Sequence, residues 1–171
     1  MTITKFSDVG LHVGQADAPV KVTSFVNFRC PFCASWHFKA NNVLDKYVKA
    51  GQVEEIIKFY DKPKETLEIG NHAHHFIDYN DPESEKIVNL LFSSQDEWGN
   101  LSKEELTTYF EENFGLKELE NHQEATNLII AEANCNNVKT VPTIFIGDKV
   151  FDSQVSPEEL VETIEALLAE K

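Results

Sequence analysis

The chain has 171 residues, 42% of them hydrophobic and 11% aromatic, with twelve phenylalanines. That is enough apolar material for one core and an appended subdomain, and it excludes a disordered chain. Fifteen basic against 29 acidic residues give a formal charge of −14, which disfavours nucleic acid or an anionic membrane as a partner and mainly serves solubility.

Residues 11–14 read as a short edge strand, followed by a turn through Asp17, Ala18 and Pro19. Residues 20–28 (VKVTSFVNF) are β-branched and aromatic, the pattern of a largely buried strand. An amphipathic stretch to Ala50 follows, with Phe32, Trp36, Ala40, Val43, Leu44, Tyr47 and Val48 at helical spacing as its core face, and Gly51 as a stop. Residues 53–60 supply a second strand, with Val53, Ile57 and Phe59 partly alternating. From Pro63 to about Cys135 strand signals vanish and helix signals repeat: a start at Asp81-Pro82, a capping box of Ser102 with Glu105, and a longer helix over 119–133. Strands return at 143–146 and 149–151 around Gly147-Asp148, a hairpin signal. A second capping box, Ser156 with Glu159, opens a closing helix whose apolar face is Leu160, Val161, Ile164, Leu167 and Leu168. The order is βαβ, helices, ββα.

The most informative motif is Cys30-Pro31-Phe32-Cys33, at the junction of the first long strand with its helix. Cys30 falls at the N-cap and Pro31 at the first helical position, where a missing N–H costs nothing. The unpaired N–H groups and the helix dipole favour a Cys30 thiolate, and Cys33 lies one turn deeper on the same side. The spacing predicts an exposed attacking sulfur with a resolving sulfur behind it. Half of a zinc site is the competing reading. Zinc needs four ligands, and no second CxxC or CxxH exists, so redox chemistry is favoured and no metal or organic cofactor is expected.

The segment order, the CxxC at the first helix and Val141-Pro142 before the late strand resemble the thioredoxin fold. The helical insertion makes the chain similar to the DsbA family of thiol–disulfide oxidoreductases. The most specific pieces are F-x-x-F-x-C-P-F-C, ending at Cys33, and T-V-P-T, residues 140–143. The resemblance implies an α/β thioredoxin-like domain over 1–62 and 135–171, with a central mixed sheet, and an all-α insertion over 63–134. It also implies Cys30 as nucleophile, Cys33 as resolving cysteine and Pro142 as a cis-proline facing them. Pro31, Phe32, Val141 and Pro142 would then border the substrate, Val141 offering backbone groups to an extended peptide. The implied partners are protein or peptide thiols and disulfides, and a redox partner that recycles the site. Two alternatives remain open: a non-catalytic adaptor binding a protein client, and a glutathione-dependent transferase or isomerase on the same scaffold.

Many exported family members carry histidine where this chain has Phe32, so a less extreme thiolate and a less oxidising couple are expected; Arg29 could restore some positive field. Residues 1–6 have no cationic stretch leading into an apolar run, and no segment approaches the roughly 18 apolar residues of a membrane span. The expectation is a cytoplasmic protein, although an exported one whose leader had been removed would read the same. Cys135 reads as a small, partly buried residue ahead of a third redox thiol. His72 and His75 share a helical face while His74 points away. With no nearby cysteine to complete a set, a solvated or packed surface helix is favoured over a metal cluster. His37 could tune the dithiol, with ordinary packing the stronger reading. Trp36 and the phenylalanines of the first helix are expected in the core, unless Phe32 is forced out into an apolar docking surface.

Overall fold

The computed structural model describes residues 6–170. Five strands, β1 (Leu11–Val13), β2 (Val20–Val26), β3 (Val53–Phe59), β4 (Thr143–Ile146) and β5 (Lys149–Phe151), form one sheet in the order β1-β3-β2-β4-β5. β2 and β3 run parallel, with Val20 opposite Val53 and Val26 opposite Phe59, and the remaining pairs are antiparallel. A parallel pair needs a crossover, and α1 (Pro31–Lys49) provides it. The hairpin at Gly147-Asp148 is as expected, Ile146 pairing Lys149 across two residues with Gly147 at φ 61°.

Between β3 and β4 lie a 3-10 turn (Glu65–Leu67) and helices α2 (Glu68–His74), α3 (Ser84–Ser93), α4 (Gln95–Trp98), α5 (Lys103–Phe114) and α6 (Gln123–Cys135); α7 (Pro157–Ala169) closes the chain. Both capping boxes form, at Ser102 with Glu105 and at Ser156 with Glu159. Two starts shift. Asp81 organises a turn, its carboxylate accepting from Glu83 N–H at 2.9 Å, and α3 begins only at Ser84. α6 begins at Gln123 rather than Leu119, because Leu119 N–H is taken by the His75 carbonyl at 2.9 Å. Among the described residues no helix is long and apolar enough to cross a membrane.

Alternation along β2 and β4 divides the sheet between two faces. Val22, Val26, Ile144 and Ile146 join α1, α7 and the insertion residues Val88, Leu91, Trp98, Leu106 and Phe110 in one continuous core. Phe25 and Phe145 face the other way, against Ile129, Ala133 and Val138. The insertion therefore shares the main core with the sheet instead of building its own.

The buried face of α1 is Cys33, Trp36, His37, Ala40, Leu44 and Tyr47. Trp36 is in the core as expected, but the phenylalanines of this helix are not: Phe32 is 61% and Phe38 39% exposed. The apolar arc starts at Cys33, and a rotation of about 100° per residue carries Phe32 off it. The first long strand also stops at Val26, two residues short, because residues 27–29 turn into α1.

Candidate active site

β2 ends at the mouth of α1, and Cys30 is its N-cap, extended at φ −76° and ψ 120°, with Pro31 next. Both sulfurs are free thiols. They are not equally covered: Cys30 keeps 8% of its surface and Cys33 none. Cys30 is thus more enclosed than the sequence suggests, although the asymmetry has the expected sense. One wall is the bend at Val141-Pro142, whose peptide is cis, with the Val141 carbonyl 3.6 Å from the Cys30 sulfur. The ladder of β4 with β2 begins only at Thr143, opposite Phe25, so the Val141 peptide lies outside it. Pro142 is buried, Val141 half-buried, and Pro31 and Phe32 stand exposed beside the sulfurs.

The two thiols differ in chemistry as well. A hydrogen bond from Cys33 stabilises the Cys30 thiolate and outweighs burial. With help from the N–H groups of Cys33 and Phe32 and the charge of Lys64, Cys30 is lowered to about 6. Burial pushes Cys33 the other way, well above the ordinary thiol range, and the neighbouring Cys30 adds to the effect. Cys33 therefore keeps its proton while Cys30 loses one. The cation responsible is Lys64, at the start of the insertion, and not Arg29. The Arg29 guanidinium instead donates from Nε to the Gly99 carbonyl at 3.0 Å.

The bend at 27–29 is braced almost entirely from the insertion. Gln95 Nε2 donates to the carbonyls of Phe28 and Cys30. His74 Nε2 accepts from Phe28 N–H at 3.2 Å, and its Nδ1–H donates to Asp61 at 2.7 Å. Asn27 donates to the Tyr60 carbonyl and to Asn71 from Nδ2, accepts from Arg29 N–H, and points its own N–H at the Cys33 sulfur, 3.4 Å away. Gly70 makes this closeness possible, because a Cβ there would overlap Asn27 Oδ1 and come within 2.8 Å of Arg29 N. Gln95, Asp61, Asn27 and Lys64 carry no local signature, so sequence reasoning missed them.

His37 is buried against Phe92 and bonds Asn89 at 2.6 Å, a packing role between α1 and α3. His74 does leave the face of His72 and His75, but it turns inward to Asp61 instead of outward to solvent. Cys135 is exposed at the end of α6, not partly buried as expected, because Ala133 and Val138 fill the space beneath. A cleft of about 620 Å³ is lined by Phe6, His12, Lys21, Glu54 and Phe145 and does not include the thiols.

A solved structure of a conserved protein of unknown function from Enterococcus faecalis V583 is 47% identical, with TM-score 0.88, covering 92% of this chain and 90% of that one. Proteus mirabilis ScsC in a transitional conformation superposes with TM-score 0.77 at 17% identity, covering 96% and 75%. BdbD from Bacillus subtilis does so with 0.67 at 18%, covering 96% and 100%. These two share the fold. No curated protein matches the sequence significantly. The model of the family described as Thioredoxin matches residues 7–166. With its cis-proline bend opposite the thiols and helices inserted between β3 and β4, the chain belongs to the thioredoxin family.

Proposed function

We propose that this protein is a thiol–disulfide oxidoreductase that exchanges disulfides with protein or peptide cysteines through Cys30 and Cys33. The observation that carries the reading is the division of labour between the sulfurs: Cys30 at about 6 with a sliver of open surface, Cys33 sealed and protonated. A zinc half-site or an inert buried pair has no need for that asymmetry.

In the reducing direction the Cys30 thiolate attacks a substrate disulfide. One substrate sulfur leaves as a thiolate, and the other is joined to Cys30. Cys33 then loses its proton and attacks the Cys30 sulfur, closing the Cys30–Cys33 bond and releasing the second substrate thiol. Two electrons pass from the dithiol to the substrate. The oxidising direction is the reverse: a substrate thiolate attacks Cys30, Cys33 departs and takes up a proton, and a second substrate thiol displaces Cys30. The Val141 peptide, outside the sheet ladder and beside Cys30, is suited to pair with the extended backbone of the visiting chain. Phe32 offers that chain an apolar contact.

The test pairs two variants. Cys30→Ser abolishes both insulin reduction and oxidation of reduced ribonuclease. Cys33→Ser accumulates mixed disulfides with cysteine-bearing peptides, recoverable with dithiothreitol. An adaptor shows neither wild-type activity nor trapped adducts, and saturable glutathione binding with activity retained in Cys33→Ser would favour the transferase alternative instead.

A further inference from the structure

We propose that His72, His75 and Glu118 form a binding site for a divalent transition metal of the zinc class, separate from the thiols and built into the helical insertion. His72 lies in the last turn of α2 and His75 is that helix's C-cap, three residues on, while Glu118 comes from the segment between α5 and α6. The imidazole Nδ1 atoms of both histidines are 3.9 Å from the same oxygen, Glu118 Oε2, and the three ligand atoms lie within 4.8 Å of one another.

The hydrogen bonds at the far side of each ring decide what faces inward. His75 Nε2 lies 2.6 Å from the Asp61 carboxylate, which can only accept, so the ring proton sits there and the Nδ1 lone pair faces Glu118. His72 Nε2 lies 2.9 Å from the Thr107 hydroxyl, whose own proton is donated to the Lys103 carbonyl, so this ring too carries its proton on Nε2. Two lone pairs and a carboxylate therefore converge on one point with no proton between them, at separations too long for hydrogen bonds. Ligands at the roughly 2.0–2.1 Å bond lengths of zinc in tetrahedral array stand about 3.4 Å apart, so a cation at the centre needs only a small inward movement. Glu118, 43% exposed, is free to make its share, and small rotations of the two imidazoles make the rest. The outer partners are those a ligating histidine needs, a carboxylate behind His75 and a hydroxyl behind His72, fixing the tautomer.

The site is anchored independently of any ion. Leu119 N–H bonds the His75 carbonyl, which holds the Glu118 segment against α2. His122 stacks on His75 at 3.8 Å with its Nε2 3.9 Å from the same Glu118 oxygen, which packs that ring in place and leaves the fourth position to solvent. Two histidines and a carboxylate suit zinc and its neighbours rather than calcium or magnesium. An occupied site would tie α2 to the start of α6. Through Asp61 and His74 it would also stiffen the bend that precedes Cys30.

The test uses the full chain carrying Cys135→Ser, with Cys30 and Cys33 closed as a disulfide so that thiols do not compete. Co²⁺ titration is expected to saturate at one equivalent, with ligand-field bands and no thiolate charge-transfer band, and Zn²⁺ is expected to displace it. Glu118→Gln, at an exposed position, is expected to weaken binding by about tenfold or more, and His72→Ala with His75→Ala by about a hundredfold or more. One equivalent of Zn²⁺ is expected to shift the His72 and His75 imidazole resonances. Binding unchanged in Glu118→Gln, or no saturable binding in the parent chain, overturns the site. If the double variant fails to fold, the glutamine variant and the imidazole resonances decide alone.

Discussion

Cys30 is charged at neutral pH because Cys33 donates to it and Lys64 stands nearby, against the opposing effect of burial. Its rate of alkylation by iodoacetamide is expected to rise with pH around a midpoint near 6, and Lys64→Gln is expected to move that midpoint upward. The sign for stability follows from linkage. The folded value lies below the unfolded thiol value of about 8.5, so in the reduced protein this group contributes fully above that pH. The contribution is lost as pH falls through about 6, and the difference between the urea midpoints of the reduced parent and of Cys30→Ser, compared at about pH 5 and about pH 9, measures the loss. The same figure bears on redox poise. Thioredoxin pairs a thiol near 7 with about −270 mV, and DsbA one near 3.5 with about −120 mV. A potential between these, nearer the thioredoxin end, is expected in a glutathione buffer. Phe32→His sets an imidazole beside the sulfur, so a Cys30 value below that of the parent and a more oxidising potential are predicted. No change in either would show that residue 32 lies outside the field that governs the thiolate. Of these features the thiol pair was legible from CxxC at a strand–helix junction. Lys64 was not, because its 34 positions of separation from Cys30 are closed only by the fold.

The elements that read clearly were those whose signals are local: α1 with Pro31 at its start, the two boxed helices, and the hairpin at Gly147. β3 was legible as a strand but its burial was not, since Glu54, Glu55 and Lys58 suggest a wet face, yet every residue is buried. Partners distant in sequence explain two of them: Glu54 meets His12 and Lys21, and Lys58 meets Glu132 of α6 at 2.8 Å. Glu55 has an unpartnered oxygen, and burial raises it to about 7, with Glu85 adding to the effect, so the strand tolerates it in part by leaving it protonated at neutral pH. The contact of α2 with the active-site bend was equally hidden, since nothing about a glycine at 70 announces what it approaches. Gly70→Ala forces a Cβ onto Asn27 and Arg29. A loss of about 1–3 kcal/mol in urea unfolding is expected, together with an altered alkylation rate at Cys30 as the bend shifts. An equally stable variant with unchanged reactivity would mean the helix can withdraw freely.

Across the molecule, β3 and α6 are joined by an ion pair removed from water. Lys58 is fully buried, and its ammonium also bonds the carbonyls of Ser7 and Val9. Replacing one partner strands the other, so Lys58→Met is expected to cost about 3–5 kcal/mol by equilibrium unfolding. Adding Glu132→Leu is expected to restore much of it, because an apolar pair leaves no charge behind. The overall topology could be anticipated from element order. How the insertion engages the sheet could not, because helical periodicity reports which face is apolar and not what that face will meet. The shared core has a consequence for any attempt to miniaturise the protein. Splicing residue 62 directly to 135 would discard Gln95, His74 and Gly70 along with the core residues Leu91, Trp98 and Phe110, so a pared-down chain would keep its sulfurs but lose the scaffolding that aims them.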